Sequence, residues 1–299
     1  MNPTILAAAS AEPTRSWLTL ARLVDYTGTV LFLGGTAFLA FPWPDGAQER
    51  RPKRLLTVAW LLGAAGTVAG LLLTAAWIAR AAPQDLTAGT VRAVLDIPFG
   101  RAWTARTLLW VLAAVVLVDL LRRGRTAVTS LPWRVGTGAV AFGLVRTSGM
   151  TGHAPDLGWW AEAAVLVHLV AVSLWVGGLA VLLTGVLPGR DPDTLRAVVP
   201  KYSTLALGSV TALTAAGALL AWRLNGFQVA TDYARILLVK LALFGVLLAA
   251  GLFSKRWVDR RLATATTVAP FARSVALETV LAVAVLGAAA FLVTASPGR

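Results

Sequence analysis

The stretch "MTGHAPDLGWWAEAAVLVHLVAVSLWVGG", Met150 to Gly178, carries both histidines of the chain, His153 and His168, and the only methionine besides Met1. Cysteine is absent. Imidazole and thioether are side chains that suit copper, the thioether favouring Cu(I). Their gathering in one segment points to a soft-metal site with His153 and His168 as ligands and Met150 as a third. A neutral imidazole titrates near neutral pH, so loading of such a site weakens as it is protonated. Each residue also has a plainer reading. His168 serves equally as a hydrogen-bonding residue between helices, Met150 as a packing residue and His153 as a solvated side chain. No HExxH or CxxC pattern is present, so spacing alone does not choose between them.

The elements that must hold these residues are membrane helices. The sequence is 57% hydrophobic and 14% charged, with a mean hydropathy of +0.73. That is more apolar surface than a soluble chain of this length can hide. Apolar blocks recur at 19–41, 55–80, 102–121, 131–149, 161–187, 203–224, 235–253 and 272–294, near the roughly 20 residues that a bilayer span requires. The expected fold is all-α: a polytopic membrane bundle of about eight transmembrane helices, one integral membrane domain over 1–299. The fourth block is the weakest, because "VGTGAVAFGLVRTSG" is rich in glycine and contains Arg146. The opening "MNPTILAAASAEPTRSW" has neither the basic start nor the apolar run of a signal peptide and reads as a short tail.

Charge sets the expected orientation. The formal net charge of +13 is carried largely in alternate connections: Arg50, Arg51, Lys53 and Arg54, then Arg122, Arg123, Arg125 and Arg134. Arg190, Arg196 and Lys201 follow, then Lys255, Arg256, Arg260, Arg261 and Arg273. The positive-inside rule places these in the cytoplasm, and both termini and the His153 loop outside. The basic residues form no aromatic-interleaved stripe, which excludes nucleic acid and leaves the lipid bilayer as the partner. Trp17, Trp43, Trp77, Trp103, Trp133, Trp159, Trp160, Trp222 and Trp257 fall near span ends, as an interfacial belt should. Trp60, Trp110 and Trp175 lie deeper. Gly66 and Gly70 have the spacing that permits close helix contact. The connection 81–101 is long enough for a short outer cap.

An ionisable group at mid-bilayer costs roughly 2.5–3.5 kcal/mol on insertion scales, so each asks for a reason. His168 lies seven residues past Ala161, about 10 Å into the fifth span. Trp175 is seven further on and shares its helical face, with the small residues Ala171 and Gly178 leaving room for a neighbouring helix. Lys240, in "ARILLVKLALFG", enters the seventh span from outside and can snorkel. Glu278, in "RSVALETVLAVAV", enters the eighth from inside. It either binds water or a basic end such as Arg273 or Arg256, or serves as a carboxylate on an ion or proton path. Asp25, Arg106, Arg146 and Glu162 fall near the outer ends and read as an outer salt-bridge network.

With these residues laid out, the sequence resembles the CopD family of bacterial copper-resistance membrane proteins, most strongly over residues 145–297. "GHAPDLGWWAEAAVLVHLVAVSLWVGGL" is similar to the family's Gly-His loop and its His-to-Trp-Gly-Gly span. "KYSTLAL", "DYARILLVKLAL" and "RSVALETVLAVAVLGAAAFLVTASP" resemble the starts of its next helices and its last span, and "IPFGRAWTARTLLW" its approach to the third. The first hundred residues match in hydropathy. The resemblance implies copper handling across the bacterial cytoplasmic membrane, usually described as uptake. It puts His153, His168 and Trp175 in the ligand region and makes Lys240 and Glu278 family-matching polar positions. Some relatives are fused to a CopC-like copper-binding domain; this chain carries none, so a separate extracytoplasmic CopC-like protein is the expected donor. It also carries no Met-rich or His-rich outer segment.

The leading expectation is copper transport or homeostasis, the ion received outside by His153 and His168, with Met150, and passed inward. No P-loop is present, so ATP does not drive the step. The alternative is a copper-delivery or assembly factor for a cuproenzyme, without net transport. A remoter one is electron transfer with His168 as a haem ligand, which a single intramembrane histidine disfavours. No Ser-His-acid set or paired carboxylates fall at one depth, so the chain is not expected to be an enzyme.

Overall fold

The computed structural model describes residues 3–80, 82–150, 158–189 and 191–225, together with positions 242 and 245. His153, Lys240 and Glu278 lie outside the described residues, as do the expected spans 235–253 and 272–294 apart from those two positions. Every described regular element is helical, as apolar blocks in hydrocarbon require, because a helix satisfies its own backbone polar groups.

The elements run α1 (Pro3–Ala40), α2 (Arg50–Ala79), α3 (Ala88–Leu95), α4 (Pro98–Arg123), α5 (Arg125–Thr129) and α6 (Leu131–Met150). Next comes one rod built of α7 (Trp159–Val172), α8 (Gly178–Val181) and α9 (Leu187–Gly189), and then α10 (Pro192–Asn225). Two wider π-helical turns, Ser173–Gly177 and Leu182–Val186, join the pieces of the rod. Five stretches are long and apolar enough to cross a membrane: Ser16–Ala40, Arg50–Ala79, Gly100–Arg123, Trp159–Val186 and Asp193–Leu219. The glycine-rich fourth block forms α6, a helix of 20 residues. The outer cap is α3, opened by the Thr87 side chain accepting from the Thr90 amide at 3.2 Å.

Helix α1 sits at the centre, and glycines let its neighbours reach its backbone. A Cβ on Gly28 would fall 2.2 Å from the Gly63 nitrogen of α2, and one on Gly66 2.5 Å from the Asp25 nitrogen. A Cβ on Gly34 would fall 1.9 Å from the carbonyl oxygen of Ser173. These contacts are the close approach that small residues give membrane helices, where dispersion rather than the hydrophobic effect drives association. Gly63 and Gly70 leave room instead for the indoles of Trp110 and Trp103 from α4. The opposite face of α4, with Leu108, Val111, Leu112 and Val115, is exposed and apolar, as a surface turned to lipid requires.

The ends of the bundle differ. Asp45 pairs with Arg125 at 2.7 Å, Lys53 donates to the Leu121 carbonyl at 3.2 Å and Arg134 donates to the Ala40 carbonyl at 2.7 Å. These contacts collect the first two basic connections at one end, as the loop sequences require. Trp17, Trp77, Trp159 and Trp222 are exposed near the opposite helix ends, where amphipathic indoles favour the interface. Two tryptophans expected in that belt belong elsewhere. Trp103 is buried against Gly70. Trp133 is buried and donates its indole N–H to the Val116 carbonyl at 3.1 Å.

Candidate functional site

His168 projects from α7 toward α10. Its ring meets Gly217, where an added Cβ would stand 3.7 Å from both Nδ1 and Cε1. Glycine at 217 therefore leaves an atom-sized notch against one edge of a half-buried imidazole. Gly149, at the end of α6, lies against Val165, its would-be Cβ 3.6 Å from a valine methyl. Val165 is three residues, one turn, outward of His168. Met150 follows Gly149 directly and is 40% exposed. Two of the three soft donors thus come from adjoining helices at the tryptophan-rich end. The third, His153, is in the loop 151–157, outside the described residues. Among the described residues no group of three or more His, Cys, Asp or Glu side chains is placed to hold a metal ion.

Trp175 is buried in the first π-helical turn. Its carbonyl accepts a bond from the Tyr202 hydroxyl of α10 at 2.5 Å. The Tyr202 ring fits only because residue 178 is glycine; a Cβ there would be 2.3 Å from a ring carbon. Gly177 meets the other neighbour, its Cβ position 2.5 Å from the Val30 carbonyl oxygen of α1. The Trp-Gly-Gly sequence is therefore where α1 and α10 both press on the rod, and the π-helical turn there resets the facing of residues below it.

Beside that turn, a cavity of about 210 Å³ lies between α1, α6 and the rod, which lines it with Val170, Ser173 and Leu174. Thr36, Thr137, Ser173 and Arg134 contribute its polar groups. Thr36 and Ser173 bond back to their own helices, to Phe32 at 2.8 Å and Leu169 at 2.7 Å. The Thr137 hydroxyl oxygen is buried and has no hydrogen-bond partner among the described residues. The rest of the lining, including Leu33, Ala37, Trp133 and Leu174, is apolar.

The outer carboxylates and guanidiniums separate into two kinds. Arg146 and Glu162 pair across α6 and α7 in a partly exposed bridge. Asp25 and Arg106 are instead both buried, 3.0 Å apart. Arg106 donates to both Asp25 oxygens, to Thr29 at 2.6 Å, to Ser148 at 2.8 Å, to Thr147 at 3.1 Å and to the Leu144 carbonyl. Thr67 donates to Asp25 at 2.7 Å. One ion pair thus ties α1, α2, α4 and α6 together with its polar atoms satisfied, the condition on which buried charge survives in hydrocarbon.

Two family descriptions match the chain. "Copper resistance protein D-like, N-terminal domain" covers residues 12–160, and "Copper resistance protein D" covers residues 196–292. The chain belongs to the copper resistance protein D family. The match to the N-terminal domain begins well before residue 145, so the likeness to the family before that point is more than hydropathy, and it includes the helices that carry the Asp25–Arg106 pair. His153 falls in the first matched range and Lys240 and Glu278 in the second, while His168 and Trp175 lie between the two. A relative outside this chain is the copper transport protein CutJ of Bacillus subtilis (strain 168), 30% identical over 249 residues. The alignment covers 77% of this chain and 44% of CutJ, so the chain spans less than half the length of that relative. No solved structure matches the chain.

The CopD motifs quoted from the sequence point at the π-helical turn without showing it. Tyr202 stands in "KYSTLAL", yet its role depends on the carbonyl of a residue on another helix. The only sequence signal for it was the glycine pair at 177 and 178, which frees space on two sides of one turn.

Proposed function

We propose that this CopD-family chain is a copper permease of the bacterial cytoplasmic membrane. Copper is received at the tryptophan-rich, outer end by His168 and His153, with Met150 as third ligand. It then passes Trp175 and the cavity beside Ser173 and Thr137 toward the basic, cytoplasmic end, without ATP and without catalysis. The observation that carries this reading is the buried notch that Gly217 leaves beside the imidazole of His168, in a chain of a family described by copper resistance. Imidazole and thioether bind copper well, and a site at the mouth of a path must be strong enough to load yet few enough in ligands to release. A CopC-like protein outside the membrane is the donor this arrangement calls for, because the chain's own soft donors, Met1 aside, are three. Lys240 and Glu278, as family-matching polar positions, are assigned to the pathway.

The test is radiocopper accumulation in proteoliposomes of the full chain. Wild type accumulates copper down its gradient; His168→Ala and His153→Ala do not. Equal accumulation by wild type and the double variant would overturn the reading. Copper bound by wild type with no accumulation would replace it with the delivery-factor reading, in which the same ligands hand copper to a membrane cuproenzyme.

A further inference from the structure

At the basic end, α1 finishes in Phe41, which is 64% exposed. The guanidinium of Arg134 stands over its ring, 5.2 Å from the centroid. Lys201 of α10 shares with Phe41 the mouth of a groove. Among the described residues no carboxylate pairs with either cation. The groove, about 860 Å³, runs between the rod and α10 past Leu166, Val170, Leu174, Leu205 and Ala212. From Lys201 to Ala212 the helix rises about 16 Å, close to the roughly 15 Å that is half of a bilayer's hydrocarbon thickness. The groove's hydroxyls are turned inward: Thr204 donates to the Pro200 carbonyl at 3.2 Å and Ser209 to the Leu205 carbonyl at 2.8 Å. At Gly208, in the wall, an added Cβ would meet nothing within 4 Å.

We propose that this groove holds an anionic phospholipid of the leaflet at the basic end. Its phosphate sits between Lys201 and Arg134, and an acyl chain lies along α10 past Gly208. The two ends of the groove ask for different chemistry, and a phospholipid supplies both in the right order. A cationic mouth at headgroup depth attracts an anionic lipid by about 1 kcal/mol per basic side chain, about fivefold in affinity for each. An apolar trough one leaflet long accepts a chain and offers it no competing hydrogen bonds. A second copy of the chain or one of its own later segments fills the trough equally well, but the later connection expected at this end carries Lys255, Arg256, Arg260 and Arg261 against Asp259, a net positive charge that does not neutralise the two cations.

The chain has no cysteine, so Gly208→Cys gives a single labelling point in open space. The full-length variant, labelled there with an environment-sensitive fluorophore, is placed in phosphatidylcholine nanodiscs. These carry a small fraction of either phosphatidylglycerol or phosphatidylcholine with brominated acyl chains. Preferential quenching by the brominated phosphatidylglycerol is expected, about fivefold or more over phosphatidylcholine, and Lys201→Gln in the same background lowers that preference about fivefold. Equal quenching by the two lipids marks an ordinary lipid-facing surface and overturns the proposal. Absence of quenching by either means that protein covers the groove and overturns it too, as does a preference that survives Lys201→Gln unchanged.

Discussion

Replacing Gly217 by alanine separates the fold of the His168 site from its chemistry. The new methyl carbon would stand 3.7 Å from Nδ1 and from Cε1 of the imidazole, which is ordinary van der Waals contact. Nothing need move, and the exchange of glycine for alanine inside α10 favours the helix by up to about 1 kcal/mol. The thermal midpoint in detergent is expected to stay level or rise. A first-row metal ion on an imidazole nitrogen lies about 2 Å from it. An ion entering from the notch side would then be within roughly 2 Å of the methyl carbon, well inside the 3.5–4.0 Å of a normal contact. The ion and the methyl group cannot both be present. Copper affinity, measured by titration against a competing chelator, should fall by more than the roughly 10–100-fold that loss of an outer-shell partner costs. It should fall as far as in His168→Ala, while stability does not. A Gly217→Ala protein that binds copper as wild type does, alongside a His168→Ala protein that does not, would refute the assignment of the notch edge as the ligand edge.

Three further outcomes follow from contacts elsewhere. Asp25→Ala leaves Arg106 charged, buried and unpaired, and should cost about 3–5 kcal/mol in reversible unfolding from mixed micelles; the paired apolar replacement Asp25→Leu with Arg106→Met should recover most of it. Equal losses in the single and double variants would show that the pair does not act as a unit. Gly34→Ala forces a methyl to 1.9 Å from the Ser173 carbonyl oxygen. It should destabilise by about 1–3 kcal/mol or more, since backbone on both sides must shift, and a wild-type melting profile would contradict the crossing. Asp191 accepts from the Thr194 hydroxyl at 2.5 Å and from its amide at 2.9 Å, and these bonds hold its carboxyl below the usual 3.8. Because the folded pKa is the depressed one, the cap's contribution is full above about pH 4 and is lost as pH falls through the folded value. Circular dichroism on acidification should show a loss at the start of α10 that Asp191→Asn shifts or removes.

How much of this was legible beforehand depends on whether the information was local. Six apolar blocks lie in helices because block length against bilayer thickness is a property of each segment alone, although α1 and α10 begin at Pro3 and Pro192, well before the apolar residues of their blocks. The glycine-rich fourth block still became α6, since its partners α4 and α7 supply the packing that its composition lacks. The connection 81–101 read only as room for a short cap; the helix α3 and its Thr87 cap came from the structure. Positions that depend on a second helix were not readable. Trp103 and Trp133 sit near span ends, as belt residues do, but each has a recess on another helix and turns into it. Asp25 and Arg106 count out near the outer ends by residue number, and only the convergence of Thr29, Thr67, Thr147 and Ser148 makes burial the cheaper state. The π-helical turn has no propensity signature of its own. It follows from two glycines that admit α1 on one side and Tyr202 on the other.

The distribution of donor types along the chain bears on how a permease of this kind would release its cargo. Every imidazole, and the only thioether besides that of Met1, lies between Met150 and His168. Past His168 toward the basic end, the rod and its neighbours present the indole of Trp175, backbone carbonyls and the hydroxyls of Ser173, Thr36 and Thr137. These are weak ligands for a soft ion. A second strong site deep in the bundle would hold copper there and oppose its escape. A single strong site at the mouth followed by weak ones lets the outer concentration fill the first and leaves nothing to trap the ion further in, which is the balance that conduction requires. Under this arrangement, adding strength below His168 should harm function. A thioether introduced at Thr137, facing the 210 Å³ cavity, should raise the copper bound per protein while slowing accumulation in vesicles. Faster accumulation would mean that the deep ligands, not the outer three, limit transport, and would reverse the order of steps argued from the positions of His168 and Trp175.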